Sequence, residues 1–316
     1  PKGEGVRIDH WIEAGTEGPP FFDPMLAKII VHDTDREAAL TKLQWTLDNT
    51  ALYGSETNLN YLRTLSCDPV LARGEVTTRY LNSVNFQPAR IDVLQGGTQT
   101  TVQDYPGRSG HWDVGVPPSG PFDSYSFRLV NRLLGNPADA AALEITLQGP
   151  TLAFSSDTQV VIGGAAIDAK LLDTESGEQR PVPLWQVVDV KAGQQLSLGR
   201  IRDGGARAYL AVRGGIQCPA YLGSRATFTL GQFGGHNGRA LCSGDVLHLD
   251  QTAAAVAPAQ LDPALLPQIG NSWQLRVIYG PHGAPDFFTD MDIETFFAHD
   301  WEVHYNSSRT GVRLIG

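Results

Sequence analysis

Residues 203–215 have the sequence DGGARAYLAVRGG, in which a short apolar run lies between two Gly-Gly pairs. Tyr, Leu and Val favour extended backbone, and glycine-rich flanks are typical of tight turns. We therefore predict a buried strand over Ala208–Val212, bounded by a turn on each side.

Short apolar runs and glycine-rich turns recur from about Ile91 onward. This pattern predicts a mainly-β region that folds as a barrel or a sandwich. Six further strands are expected, at Ile91–Leu94, Gln159–Ile162, Val187–Val190, Leu196–Leu198, Val246–Leu249 and Leu275–Ile278.

One helix is predicted inside this β-rich region. Asp123 is a suitable N-cap, an apolar stripe runs from Phe127 to Leu134, and Gly135 followed by Asn136-Pro137 ends the helix. Residues 251–266, which are rich in Ala and Pro, break the strand rhythm and indicate a connector between two halves of the region.

Residues 1–84 have a different, α/β texture. A buried strand is predicted over Met25–Val31, followed by a helix with a capping box formed by Thr34 and Glu37. A second helix is expected over about 57–66 and a short third one near Leu81. The chain is therefore predicted to be multidomain: an α+β segment over 1–84, a linker over 85–90, and a mainly-β region over 91–316 with an internal boundary near 252–270.

The charge balance restricts the classes of partner. The chain has 24 Lys and Arg against 34 Asp and Glu, a net charge of −10. A nucleic-acid binder or a surface that seeks anionic lipid needs clustered positive charge, so neither partner is expected. Three widely spaced cysteines and the lack of a signal peptide or a long apolar run favour a reducing, cytoplasmic location. The start without Met and the end inside an apolar run lead us to expect a fragment of a longer protein.

Common catalytic motifs are absent from the sequence, and the eight histidines have no metal-ligand spacing, so no metal site is predicted. Polar residues among Gly and Pro are the candidates instead. Gln103 and Asp104 follow a strand, and Pro118, Ser119 and Asp123 lie in a stiff loop that leads into a helix N-terminus. Such a loop offers backbone N–H groups to an acceptor. The alternative is that these residues only close turns and cap the helix.

Two further candidates are a carboxylate and a pair of guanidiniums. Glu144 lies between apolar neighbours on a predicted strand, where it faces solvent or is buried against a partner. Arg309 and Arg313 flank a glycine turn, and arginine suits bidentate carboxylate recognition. A solvated turn is the alternative. We expect Gln103, Asp104 and Arg309 to converge on one pocket.

The amino-terminal segment resembles the C-terminal domain of biotin carboxylases. The resemblance is carried by Gly5–Asp9, Glu13–Gly15, Pro19–Lys28, Thr57-Asn58 and Thr77–Leu81. In that family the arginine of the GVR motif lies at the biotin site and stabilises the biotin enolate. The resemblance implies this role for Arg7.

Residues 90–316 resemble the allophanate-hydrolase-subunit-2 family. The matching stretches are Thr101–Asp104, Gly120–Asp123, Asn131–Asn136, Ala142–Thr146 and Ser308–Leu314. The resemblance implies cyclophilin-like β-barrel halves that form part of a carboxyltransferase. It also adds Asn131 to the candidate substrate- or biotin-binding residues, and Asn306, in the turn segment of Arg309, is a further one.

The order of the two resemblances is similar to that in biotin-dependent urea carboxylases. It implies carboxyl transfer from carboxybiotin to urea, giving allophanate, with a biotin carrier domain and a companion barrel domain as partners. ATP and Mg²⁺ would act in a biotin carboxylase region absent from this chain, and no biotinylation motif occurs here. Gln103, Asp104 and Glu144 would suit the N–H groups of urea, and Arg309 or Arg313 a carboxylate.

Several alternatives stay open at this point. The chain could belong to a related amide- or 5-oxoproline-processing complex, or be a non-enzymatic binding module of the same family. The acceptor could be urea or guanidine, and homo-oligomer formation is left open. If the carboxylase assignment holds, the chain alone is expected to be inactive.

Overall fold

A computed structural model describes residues 1–13, 15–16, 18, 21, 23–52, 56–250, 252–305, 307–309 and 311–316. The chain divides into two compact units, Pro1–Pro88 and Ala89–Gly316. The division falls inside the segment 85–90. Residues 252–270 belong to the second unit as a whole, so the internal boundary proposed there stays a prediction.

The first unit combines a small sheet with short helices. Strands β1 and β2 pair antiparallel, with Val6 opposite Val31. The elements are β1 (Val6–His10), β2 (Ala27–Val31), α1 (Arg36–Asp48), α2 (Leu59–Ser66), α3 (Pro69–Arg73) and a 3₁₀ turn (Tyr80–Ser83). The predicted strand and the first two helices are confirmed, but the strand is half-buried or exposed instead of buried. Near Leu81 the structure has the 3₁₀ turn, and α3 ends earlier.

The predicted N-cap of α1 is wrong by one residue. The side chain of Asp35, not that of Thr34, accepts from the backbone N–H of Ala38 at 2.9 Å. A carboxylate is a strong acceptor for the free N–H groups of a first turn. The Thr34 hydroxyl donates to Asp35 instead, at 3.4 Å.

The second unit is mainly β. Its strands are β3 (Arg90–Gln95), β4 (Gln99–Gln103), β5 (Ala142–Thr146), β6 (Thr151–Phe154), β7 (Thr158–Gly164), β8 (Ile167–Asp173), β9 (Gln179–Pro181), β10 (Val188–Val190), β11 (Gln194–Ile201), β12 (Arg207–Val212), β13 (Ile216–Gln217), β14 (Val246–Leu249), β15 (Glu302–Val303) and β16 (Leu314–Ile315). Its helices are α4 (Ser124–Leu133) and α5 (Asp290–Ala298), with 3₁₀ turns at Trp112–Val114 and Pro263–Leu265.

These strands form a five-stranded sheet, β10-β7-β12-β5-β4, a seven-stranded sheet, β13-β14-β3-β6-β11-β8-β9, and a separate hairpin, β15-β16. One buried apolar cluster contains side chains of both large sheets, including Leu143 and Ile145 of β5 and Leu152 of β6. In the described part of the chain these sheets do not close into a barrel. The mainly-β prediction is confirmed, whereas the cyclophilin-like barrel stays a prediction.

Helix α4 covers the opposite face of the five-stranded sheet. Phe127 and Val130 of α4 are fully buried against Tyr209 and Ala142. Successive side chains of a strand point to opposite faces, so β5 sends Leu143 into the core and Ala142 toward α4. The face beneath α4 is the one that carries the polar candidates.

The remainder of the unit departs from the predicted pattern. Leu275–Ile278 is irregular and exposed instead of a strand, because no described strand pairs with it. The predicted connector is also more than a link: Val256 donates its N–H to Gln159 at 2.8 Å, and Leu261 donates to the Trp185 carbonyl at 2.8 Å. It is therefore packed against the five-stranded sheet.

No described helix combines the length and the apolar character that crossing a bilayer requires.

Candidate functional site

The floor of the candidate site is a row of side chains across three neighbouring strands. Glu144 on β5 lies opposite Thr101 on β4 and opposite Tyr209 on β12. Gln103 and Arg207 are two residues from Thr101 and Tyr209 on their strands, so they share the same face. This face receives the N-terminus of α4.

Glu144 is buried, with 3% of its side chain exposed, and is surrounded by donors. Its Oε2 accepts from the backbone N–H of Phe122 at 2.6 Å and from the Tyr209 hydroxyl at 3.2 Å. Its Oε1 accepts from the Arg309 guanidinium. The Nε of Arg207 lies 3.6 Å from the same oxygen. Of the two alternatives for Glu144, burial against a partner is confirmed, and these partners offset the cost of removing the carboxylate from water.

Tyr209 connects Glu144 to the start of α4. Its hydroxyl donates to Glu144 and accepts from the backbone N–H of Asp123 at 2.7 Å. Asp123 in turn accepts from the N–H groups of Tyr125 and Ser126, both at 3.0 Å, so it caps the helix as predicted. Burial and the nearby Glu144 carboxylate raise the pKa of Tyr209, which keeps its hydroxyl a donor.

Gln103 and Asp104 form hydrogen bonds with the segment 221–227. The Gln103 amide donates to Thr101 at 3.0 Å and to the Thr227 carbonyl at 3.3 Å, while its Oε1 is buried without a partner among the described residues. The Asp104 carboxylate accepts from the Ser224 hydroxyl and the Arg225 N–H, both at 2.6 Å. Asp104 therefore holds a loop in place, and a catalytic role for it stays a prediction.

The loop with Pro118 and Ser119 lies against the turn after β4. The Pro118 carbonyl accepts from the Arg108 N–H at 2.5 Å, and a Cβ on Gly107 would collide with that carbonyl. Ser119 has a φ of 55°, and its hydroxyl is buried with no hydrogen-bond partner in the ranges that the structure describes. A strained residue held by its surroundings is common at functional sites.

The remaining candidates are Asn131, Arg313, Arg7 and Asn306. Asn131 is buried and ties α4 to the connection that leads into β5, by donating to the Ala140 carbonyl at 3.0 Å and accepting from Asn136 at 2.9 Å. Arg313 is exposed. Arg7 belongs to the first unit, where it pairs with Asp9 at 3.1 Å. Asn306 lies outside the described residues.

The structure thus brings Gln103, Glu144, Asp123 and Arg309 to one face of the sheet. Two contributors were missed in the sequence: Arg207 and Tyr209. The backbone N–H of Phe122 belongs to the loop that was expected to offer such donors. The alternation along β12 could have placed Arg207 and Tyr209 on one face, but not against Glu144. No group of three His, Cys, Asp or Glu side chains that could hold a metal occurs within the described ranges.

Comparison with known proteins defines the class. Residues 114–316 match the family described as carboxyltransferase domain, subdomain A and B, and residues 1–83 match the biotin carboxylase C-terminal domain. The chain belongs to this carboxyltransferase family.

Two related proteins and one solved structure show which carboxyltransferases the chain is similar to. A urea amidolyase of Saccharomyces cerevisiae is 46% identical over 98% of this chain, and the chain spans 17% of the length of that protein. The Kluyveromyces lactis urea carboxylase structure matches 99% of the chain at 45% identity with a TM-score of 0.82, where the chain spans 28% of the protein. A 5-oxoprolinase subunit of Escherichia coli is 35% identical over 72% of the chain and 68% of its own length.

Proposed function

We propose that the chain is part of an ATP- and biotin-dependent urea carboxylase. Its second unit would contribute to the site that moves a carboxyl group, delivered on biotin, to urea and so forms allophanate. The observation that carries the proposal is the order of two matches in one chain: biotin carboxylase C-terminal domain over 1–83 and carboxyltransferase over 114–316.

The side chains under α4 fit a ureido group. Urea and biotin each present N–H donors and one carbonyl oxygen. The unpartnered Oε1 of Gln103 suits an N–H donor, and the Arg309 guanidinium suits an oxygen. Biotin, when bound, supplies the activated carboxyl group.

This chain needs no nucleophile for such a reaction. Gln103 would orient urea, Arg309 would hold the carboxylate, and the Pro118–Asp123 loop would exclude water. Fixed donors in a dry site stabilise developing charge, and orientation removes much of the entropic barrier. Asp104 and Asp123 act in this scheme by holding the loops that frame the site.

Further parts of the enzyme are proposed to lie outside this chain. They are the biotin carrier domain, the companion barrel domain, and the region where ATP and Mg²⁺ act. The cyclophilin-like barrel is proposed for the complete carboxyltransferase domain, and a cytoplasmic location for the enzyme. A role in a 5-oxoproline-processing complex is the second candidate, supported by the 35% identical Escherichia coli relative; the match of residues 1–83 favours the urea carboxylase.

The full-length parent protein is expected to form allophanate from urea and bicarbonate when ATP and Mg²⁺ are present. The chain alone, given free biotin in addition, is expected to form none, because a site shared with other domains loses a wall and admits water. Allophanate would be measured by mass spectrometry. No product from the biotinylated parent protein would refute the proposed function, and product from the chain alone would show that the site is complete here.

Arg7→Ala in the full-length protein is expected to abolish the ATP cleavage that depends on bicarbonate and biotin. We expect this because Arg7 is proposed to act where biotin is carboxylated and not where urea is bound. Phosphate release would be followed with and without urea. Asp9→Asn, which removes only the exposed partner of Arg7, is the control. Unchanged ATP cleavage together with failed urea carboxylation would move Arg7 to the other half-reaction.

A further inference from the structure

Arg207 was not among the predicted site residues, yet it lies beside Glu144. Its guanidinium lies 5.0 Å from the centre of the Phe122 ring. One terminal nitrogen donates to the adjacent Ala206 carbonyl at 3.0 Å, whereas Nε is buried without a hydrogen-bond acceptor in the described part of the chain. The side chain as a whole is 18% exposed, although Nε is not part of that exposed surface. A guanidinium carries five N–H donors. One of those of Arg207 faces Glu144 and one reaches Ala206, so terminal donors remain for a ligand.

Glu144, by contrast, has little accepting capacity left. Its two oxygens offer about four lone-pair sites, and the Phe122 N–H, the Tyr209 hydroxyl and the Arg309 guanidinium already occupy three. The fourth lies toward Arg207 Nε at 3.6 Å. An N–H group of urea would have to displace one of these donors. Glu144 is thus better suited to fixing cations than to binding urea.

We propose that Arg207, together with Arg309, binds the carboxylate that is transferred, and that Glu144 is the positioning residue for both guanidiniums. This inference rests on the proposed carboxyl transfer to urea and changes the assignment of Glu144 within it. Two guanidiniums around one buried carboxylate leave one positive charge at this point, which matches an incoming anion and not neutral urea.

The Phe122 ring supports this role for Arg207. The ring attracts the guanidinium through its face and restricts the orientations that the side chain can adopt. At the same position the Phe122 N–H holds Glu144 at 2.6 Å. One residue therefore positions both the cation and its carboxylate partner, so the donors of Arg207 are oriented before a ligand arrives.

The test is Arg207→Lys in the full-length biotinylated enzyme, assayed in both directions. In the reverse direction, allophanate, ADP and phosphate give urea, bicarbonate and ATP. We expect the KM for allophanate to rise about tenfold or more, since lysine lacks the planar fork, while the forward KM for urea changes less than about twofold. The forward kcat should fall, because the same carboxylate passes through the site.

Arg202→Lys is the matched control, because Arg202 pairs with the exposed Asp168 on the same unit. It should change neither KM. Arg207→Gln, which removes the charge, should raise the KM for allophanate further, and it serves as the second variant if Arg207→Lys is poorly folded. A KM increase for urea alone, or no change in either variant, would overturn the assignment of Arg207. Failure of the wild-type enzyme to make allophanate would instead overturn the proposed function.

Discussion

Replacing Glu144 with Gln in the full-length enzyme is expected to reduce urea carboxylation by about a hundredfold or more, a loss comparable to removing a key donor from a catalytic site. All the groups around this carboxylate are donors: a backbone N–H, a hydroxyl and a guanidinium, with a second guanidinium nearby. A glutamine would place its NH₂ group, itself a donor, opposite one of these donors. The loss of the buried ion pair with Arg309 should also lower the free energy of unfolding by about 3 kcal/mol.

The two parts of this expectation are measured separately. Allophanate formation reports on the carboxyltransferase site, and biotin-dependent ATP cleavage reports on the other half-reaction, which should be unchanged. Asp168→Asn is the control, since Asp168 is a half-exposed carboxylate that also pairs with an arginine. Wild-type rates of allophanate formation in the Glu144→Gln enzyme would exclude Glu144 from the site.

Local sequence patterns were sufficient for the parts of the site that are built locally. Asp123 was identified as an N-cap because the residues that donate to it, Tyr125 and Ser126, follow within three positions. Glu144 stood out because a carboxylate between apolar neighbours on a strand requires an explanation. Both assignments depend on short-range geometry, which the residue order determines.

Long-range contacts were not predictable in the same way. Tyr209 meets Glu144 across 65 residues, through strand pairing that periodicity does not specify. The strand prediction for Leu275–Ile278 was wrong for a related reason. Strand propensity measures how well a segment fits a pleated, half-buried surface, and this segment has no described strand beside it. Asp104 was identified as a turn residue near a site, but its partners Ser224 and Arg225 appear only in the fold.

The segment 221–227 shows how much of this site depends on one buried cation. Arg108 is 1% exposed, and it donates to the carbonyls of Tyr221 and Ala226, both at 2.9 Å. Its guanidinium also lies 4.9 Å from the centre of the Phe233 ring. Burial lowers the pKa of Arg108, while the Asp104 carboxylate opposes that shift. Arg108 and Asp104 therefore hold the same segment. Arg108 binds carbonyl groups of the segment, and Asp104 binds a hydroxyl and an N–H group of it.

Arg108→Ala is accordingly expected to lower the free energy of unfolding by about 4 kcal/mol, because carbonyls that are now paired would lose their donor and a cavity would open beside the Phe233 ring. Guanidinium chloride unfolding, followed by tryptophan fluorescence, measures the change. Arg128→Ala is the matched control: this exposed arginine lies 4.9 Å from the Tyr105 ring and should cost less than about 1 kcal/mol. Equal effects of the two substitutions would contradict a structural role for Arg108.

Because Thr227 is bonded to Gln103, loosening of this segment should also release the Gln103 amide, so the Arg108 variant is expected to lose urea carboxylation even where it remains folded.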